Sequence, residues 1–106
     1  MSPLRGDEIA EALRSLPGWT GDEHGLKRSL TFTDFRGAMR FMQSCIEGIE
    51  QQNHHPVWTN KYNRVDIHLD TFDIGHLVTT RDVKLARYFE TVLREQGQQF
   101  GYVEPG

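Results

Sequence analysis

Apolar residues recur along this chain in two rhythms, one helical and one alternating, and together they divide it into seven elements. From Asp7 to Leu16, the positions Ile9, Ala12, Leu13 and Leu16 follow helical spacing. Asp7 and Glu8 fall in the first turn, where the helix dipole favours negative charge. Pro17-Gly18 ends that helix. Trp19-Thr20 and Leu26 to Phe32 then read as two short strands around a Gly21-Asp22-Glu23-His24-Gly25 turn. In the second strand Leu26, Arg28, Leu30 and Phe32 share a face, and Arg28 interrupts its apolar character. Thr33-Asp34 is a helix start, after which Phe35, Ala38, Met39, Met42, Cys45, Ile46 and Ile49 mark one face of a helix reaching Gln52. Phe41 lies off that stripe, which places it either on the edge of a wide core face or against another subunit.

Val57-Trp58-Thr59 is a further short strand, and Asn60-Lys61-Tyr62-Asn63 supplies the turn after it. Arg64 to Phe72 alternates cleanly, with Val65, Ile67, Leu69 and Thr71 on one face and Asp66, His68, Asp70 and Phe72 on the other. That is the pattern of a half-buried strand. A loop from Asp73 to Val78 leads to Thr79, whose spacing to Asp82 makes a capping box with Asp in the Glu place. Val83, Leu85, Ala86, Phe89, Val92 and Leu93 mark a last helix ending near Gln96-Gly97. The predicted order is α-β-β-α-β-β-α: a four-stranded antiparallel sheet with three helices on one face, an α+β fold.

Composition narrows the function classes. The 106 residues fit a single domain (1–106), with a core modest enough that self-association would help stabilise it. A net charge of −3 with interspersed signs provides no basic field, which argues against nucleic acid as a direct ligand. No run has the length and apolarity to span a bilayer, and no signal peptide is visible. Cys45 is the only cysteine, so an internal disulfide is excluded and a reducing, cytoplasmic setting is expected.

Five histidines raise the question of a metal. A zinc site needs three or four converging ligands, whereas adjacent residues such as His54 and His55 diverge by about 100° on a helix. Cys45 has no cysteine partner, so no metal site is expected. His54-His55 could simply complement a helix C-terminus that Pro56 forbids from continuing. Two features favour chemistry instead. Glu50 lies four residues before His54, one helical turn away, and Pro56 fixes the backbone just after the pair. Imidazoles titrate near neutrality and suit general acid-base work on a small molecule. His68 is expected to face solvent or a neighbouring strand, His24 has no assigned role, and His76 lies in a loop.

Glu50-x-x-x-His54-His55-Pro56, Trp58, Asn60, Tyr62-Asn63, Val65-x-Ile67-x-Leu69-x-Thr71 and the later Asp82 together resemble the signature of the pterin-4a-carbinolamine dehydratases. Leu16-Pro17-Gly18-Trp19, Phe32-x-Asp34-Phe35, Phe41-Met42 and Asp82-x-x-Leu85-Ala86 extend the resemblance over nearly the whole chain. The resemblance implies a domain that dimerises by extending its sheet and often forms tetramers through the long helix. It implies dehydration of 4a-hydroxytetrahydropterin to quinonoid dihydropterin, in pterin recycling, with no metal or organic cofactor. It makes His54 an acid-base candidate and His55 a binding or polarising residue. Glu50, Pro56, Trp58 and the Thr71-Phe72-Asp73-Ile74 segment would line the pterin pocket.

The chain also departs from that pattern. The family usually carries a third histidine after the residue matching Thr71, and here that place holds Phe72. The loop to Asp82 is one residue longer than expected and reads Ile74-Gly75-His76-Leu77-Val78. Three expectations follow. The protein is a slower dehydratase relying on His54 and His55; or His76 folds back into the vacated place; or the pocket persists in a protein-binding or assembly factor, with Phe72 free to stack on a flat pterin. The family includes members that act as dimerisation partners of a transcription factor, so a protein partner is among the expectations.

Overall fold

The structure, a computed structural model, describes residues 1–105, and its elements appear in the predicted order. Helix α1 spans Gly6–Arg14, strands β1 and β2 span Thr20–Asp22 and Gly25–Thr31, and helix α2 spans Phe35–Gln52. Strands β3 and β4 span Val57–Lys61 and Arg64–Leu69, and helix α3 spans Thr80–Gln96. The sheet runs β1-β2-β4-β3 and every pairing is antiparallel. Both edges are therefore short strands.

Alternation gives the sheet one dry face and one open one. Leu26, Leu30, Val65, Ile67 and Leu69 are buried under the helices, whereas Lys27, Ser29 and Thr31 face outward. Register on the open side pairs Lys27 with His68, Ser29 with Asp66 and Thr31 with Arg64. The β3–β4 hairpin is tied by Asn60, whose side-chain amide donates to the carbonyls of Tyr62 and Arg64, each at 3.0 Å. Arg28 does lie on the buried face, as its alternation places it. Its guanidinium is neutralised by Glu90 and hydrogen-bonded to Tyr102, which is how a charge survives there.

The core stripe of α2 is rotated from the one predicted. Ala38, Phe41, Cys45 and Ile49 are buried with Gly37 and Gly48, whereas Phe35 and Ile46 remain 47% and 48% exposed. Phe41 is not a surface aromatic: its ring lies 5.4 Å from Phe32, 6.2 Å from Phe89 and 6.5 Å from Phe100. The cause is Gly37 and Gly48, which let α2 approach the Phe100 carbonyl and the Tyr88 ring on that side and so turn it inward. The β4 alternation also ends early as a strand. Pairing with β2 and β3 stops by Leu69, Thr71 keeps only an isolated bridge to Leu77, and Phe72–Ile74 forms a 3₁₀ turn within the segment expected to be strand and loop. The facing holds nevertheless, with Thr71 buried and Phe72 exposed.

Candidate active site

Three chain segments meet around one buried imidazole. Helix α2 ends at Gln52, and Asn53 takes the left-handed conformation (φ 49°) that Asn tolerates. This reversal swings His54 off the helix path, and Pro56 then starts the chain toward β3. Thr71 arrives just past the end of β4. Asp82 arrives in the first turn of α3 through the predicted capping box, accepting a hydrogen bond from the Thr79 backbone N–H at 2.9 Å.

His54 is 8% exposed, and its Nε2 lies 2.6 Å from Oδ1 of Asp82. The other carboxylate oxygen accepts from the Thr71 hydroxyl at 2.8 Å, and Asp82 itself has no exposed surface. Thr71 has spent its only proton there, so across their 2.8 Å contact the Thr79 hydroxyl must be the donor to Thr71. Thr79 Oγ1 in turn accepts from the Arg81 N–H at 3.2 Å. These contacts hold Asp82 as an acceptor for three donors and fix the imidazole with Nε2 protonated. Nδ1 of His54 has no hydrogen-bond partner among the described residues and is not fully enclosed, since no fully buried side-chain nitrogen or oxygen among them lacks a partner.

The expected pairing of Glu50 with His54 does not occur. The left-handed turn at Asn53 breaks the helical i,i+4 spacing, and Glu50 instead holds His55, with Nε2 2.8 Å from Oε2. Both residues are exposed. Together with Pro56 and Trp58, and with Ile46 and Ile49 behind them, they line a shallow cavity of about 270 Å³. A mixed apolar and polar hollow of this kind suits a small flat ligand.

A second histidine group lies on the open face of the sheet. Asp70 accepts from His68 Nε2 at 2.9 Å and from His76 Nδ1 at 3.1 Å, one histidine to each oxygen. Burial pushes the Asp70 carboxyl up, but hydrogen bonds and charge from His76 and His68 outweigh it and leave it below its ordinary value. His68 covers Gly25 of the neighbouring strand, where any side chain would collide with its ring. His76 sits with its ring edge-on to Phe72 at 5.0 Å between centroids, and it too takes a left-handed conformation (φ 62°). Phe72 is 74% exposed. Asp73 is exposed and 3.9 Å from Arg81, and Ile74 is half-buried in the same turn.

The structure thus places His55, Glu50, Pro56 and Trp58 at one hollow, and His76 with Phe72 on the short turn after β4. Thr71 stands behind His54, its hydroxyl engaged by Asp82 and Thr79. Asp82 and Thr79, which the sequence marks only as a helix cap and part of the family signature, are thus also part of the site. The available signal was a carboxylate at the third position of a capping box, facing the buried side of a strand that ends in threonine.

The comparisons agree on the family. The model of the family described as "Pterin 4 alpha carbinolamine dehydratase" matches residues 2–92. A protein of Opitutus terrae, named "Putative pterin-4-alpha-carbinolamine dehydratase", is 42% identical over 85 residues, 80% of this chain and 88% of its own. One of the same name from Rhizorhabdus wittichii is 43% identical over 94 residues, 87% of this chain and 96% of its own. A crystal structure described as a transcriptional coactivator/pterin dehydratase from Brucella melitensis superposes with a TM-score of 0.80 at 39% identity, covering 86% of this chain and 98% of that one. The chain belongs to the pterin-4a-carbinolamine dehydratase family.

Proposed function

We propose that the protein dehydrates 4a-hydroxytetrahydropterin, a hydro-lyase step in pterin recycling. The observation that carries this reading is His54, anchored through Nε2 on a buried carboxylate while Nδ1 has no partner among the described residues and is not fully enclosed. In the reaction the carbon–oxygen bond at the ring carbon breaks and the hydroxyl leaves as water after gaining a proton. The neighbouring ring nitrogen gives up its proton, and its electron pair closes a carbon–nitrogen double bond. The product is substrate minus one water, and proton transfer alone accomplishes this, with no cofactor. His54 Nδ1 is the base: Asp82 keeps the other nitrogen protonated and stabilises the imidazolium that forms. His55, oriented by Glu50, holds the pterin against Pro56 and Trp58. His76 is the second proton carrier, steadied by Asp70 in place of the histidine that Phe72 replaces. Cys45, unpaired and buried, fits a reducing cytoplasmic setting.

One group of observations favours a second reading, a catalytically poor scaffold that binds protein. Phe72 cannot carry a proton, α2 exposes Phe35 and Ile46, and the Brucella relative is described as a coactivator as well as a dehydratase. Stopped-flow measurement with 4a-hydroxytetrahydropterin separates the two. Wild type should exceed the spontaneous rate, and His54→Ala should lower that excess by roughly 10²–10⁴-fold. His76→Ala should reduce it too, and Phe72→His should raise it. A wild type no faster than the spontaneous reaction, restored only by Phe72→His, would establish the scaffold reading instead.

A further inference from the structure

We propose that a cleft at the far end of α3 from His54 is a second ligand site, one that takes a small carboxylate with an apolar body. Its volume is about 870 Å³, and its floor is the guanidinium of Arg28. Asp82 lies in the first turn of α3, whereas Glu90 and Arg94 follow eight and twelve residues later, about 12 and 18 Å along the axis. None of the residues around His54 lines the cleft.

The guanidinium is held in place but underused. Arg28 is 8% exposed, donates from Nη2 to the Tyr102 hydroxyl at 2.7 Å, and meets Glu90 only at 3.4 Å through Nε. That Glu90 oxygen is shared with the Trp19 indole N–H at 3.0 Å. Nη1 has no partner among the described residues and is not sealed, because no fully buried side-chain polar atom is left unpaired. Gly18, at φ 90°, leaves the space that a side chain would take from the guanidinium. The Tyr102 hydroxyl accepts from Arg28 and keeps its own proton available.

Arg94, one turn beyond Glu90 on α3, and Gln98, in the short 3₁₀ turn that follows the helix, extend the donor set along the wall. Arg94 has no carboxylate within salt-bridge distance among the described residues. Of the two acids lining the cleft, Glu90 is already occupied by Arg28 and Trp19, and Glu104 is exposed on the C-terminal segment. A planar guanidinium with free N–H groups recognises a planar carboxylate. Leu93 and Pro17 offer the ligand's body an apolar surface.

The floor of the cleft, with Arg28 and Glu90, lies within the span the family model matches, and its far wall lies outside it. The family model ends its match at residue 92, while Leu93, Arg94, Gln98, Tyr102, Glu104 and Pro105 all lie beyond it. The segment that builds the wall is held by the Val103 N–H donating to the Thr31 carbonyl at 2.8 Å and by a bridge between Tyr102 and Phe32.

The Trp19 indole N–H, bonded to Glu90 on the cleft floor, is a built-in reporter. Titration of the ¹⁵N-labelled protein with benzoate should shift its NMR cross-peak saturably, and the neutral isostere benzamide should not. Arg94→Gln, an exposed change, should weaken benzoate about tenfold while leaving the dehydratase rate as in wild type. Arg28→Lys should abolish the shift; if that variant does not fold, Arg94→Gln and Tyr102→Phe carry the test. No saturable shift, an equal shift with benzamide, or benzoate binding indifferent to Arg94→Gln would each overturn the proposal. Inorganic phosphate binding as tightly as benzoate would overturn the carboxylate assignment.

Discussion

A carboxylate with no exposed surface must find donors for its oxygens, and Asp82 finds them in His54, Thr71 and the Thr79 backbone. The Thr71 hydroxyl is the donor that can be removed most cleanly. Thr71→Val keeps the shape but leaves the buried carboxylate one partner short and strands the Thr79 proton. It should cost about 1–3 kcal/mol in urea unfolding, and Thr71→Ser should recover most of that. Because the imidazole rests on the same carboxylate, the variant should also slow turnover; a variant as stable as wild type would refute this account of Asp82. Cys45 makes the opposite case, a titratable group with no work to do. Burial pushes its thiol up to about 12, so almost no thiolate exists at neutral pH. An aromatic disulfide reagent at pH 8 should leave it unmodified in the native protein and label it at once in denaturant.

At the scale of elements, close approaches decide how the helices sit. Any side chain at Gly37 would overlap the Phe100 carbonyl, backbone that cannot step aside as a flexible side chain can. Gly37→Ala should therefore destabilise by about 1–3 kcal/mol, despite the better helix propensity of alanine, and should loosen the segment after α3 in hydrogen exchange. The turn after β4 is fastened differently, by Asp70 between His68 and His76. Its carboxyl is held below the ordinary value in the folded state, so its contribution is present above the unfolded pKa near 3.9 and disappears as pH falls through the lower folded value. Asp70→Asn should lower stability at pH 6 by less than about 1 kcal/mol, and the gap to wild type should close below about pH 4. A gap that widens in acid would show that Asp70 does not fasten this turn. Element order and strand facing were legible in the sequence because periodicity reports burial directly. Which side of α2 faces inward was not, since glycine adds nothing to an apolar stripe yet permits the contacts that rotate it. Nor was the partner of His54: the left-handed Asn53 replaces helical spacing with a contact to Asp82, 28 residues away.

For the molecule as a whole, the surface left uncovered is as informative as the core. The edge strand β3 leaves Val57 65% exposed, and α2 leaves Phe35 and Ile46 exposed on one side, with Met39 and Met42 half-buried between them at i+4 and i+7. Phe35 and Ile46, exposed to 47% and 48%, are the residues whose apolar spacing matched a core stripe without being in the core. That stripe is the expected seat of the association through the long helix that the family resemblance implies beside sheet extension, since an apolar helix face gains by being covered. Phe35 allows a selective test, because it lies at the first position of α2, where a new carboxylate suits the helix dipole. Phe35→Glu should therefore fold normally by circular dichroism. In sedimentation velocity, wild type should run heavier than a single chain, and the variant should dissociate at a concentration about tenfold higher or more. A wild type that sediments as a single chain at every concentration would leave the stripe without that role. A Phe35→Glu variant that assembles as wild type does would move the interface to the β3 edge.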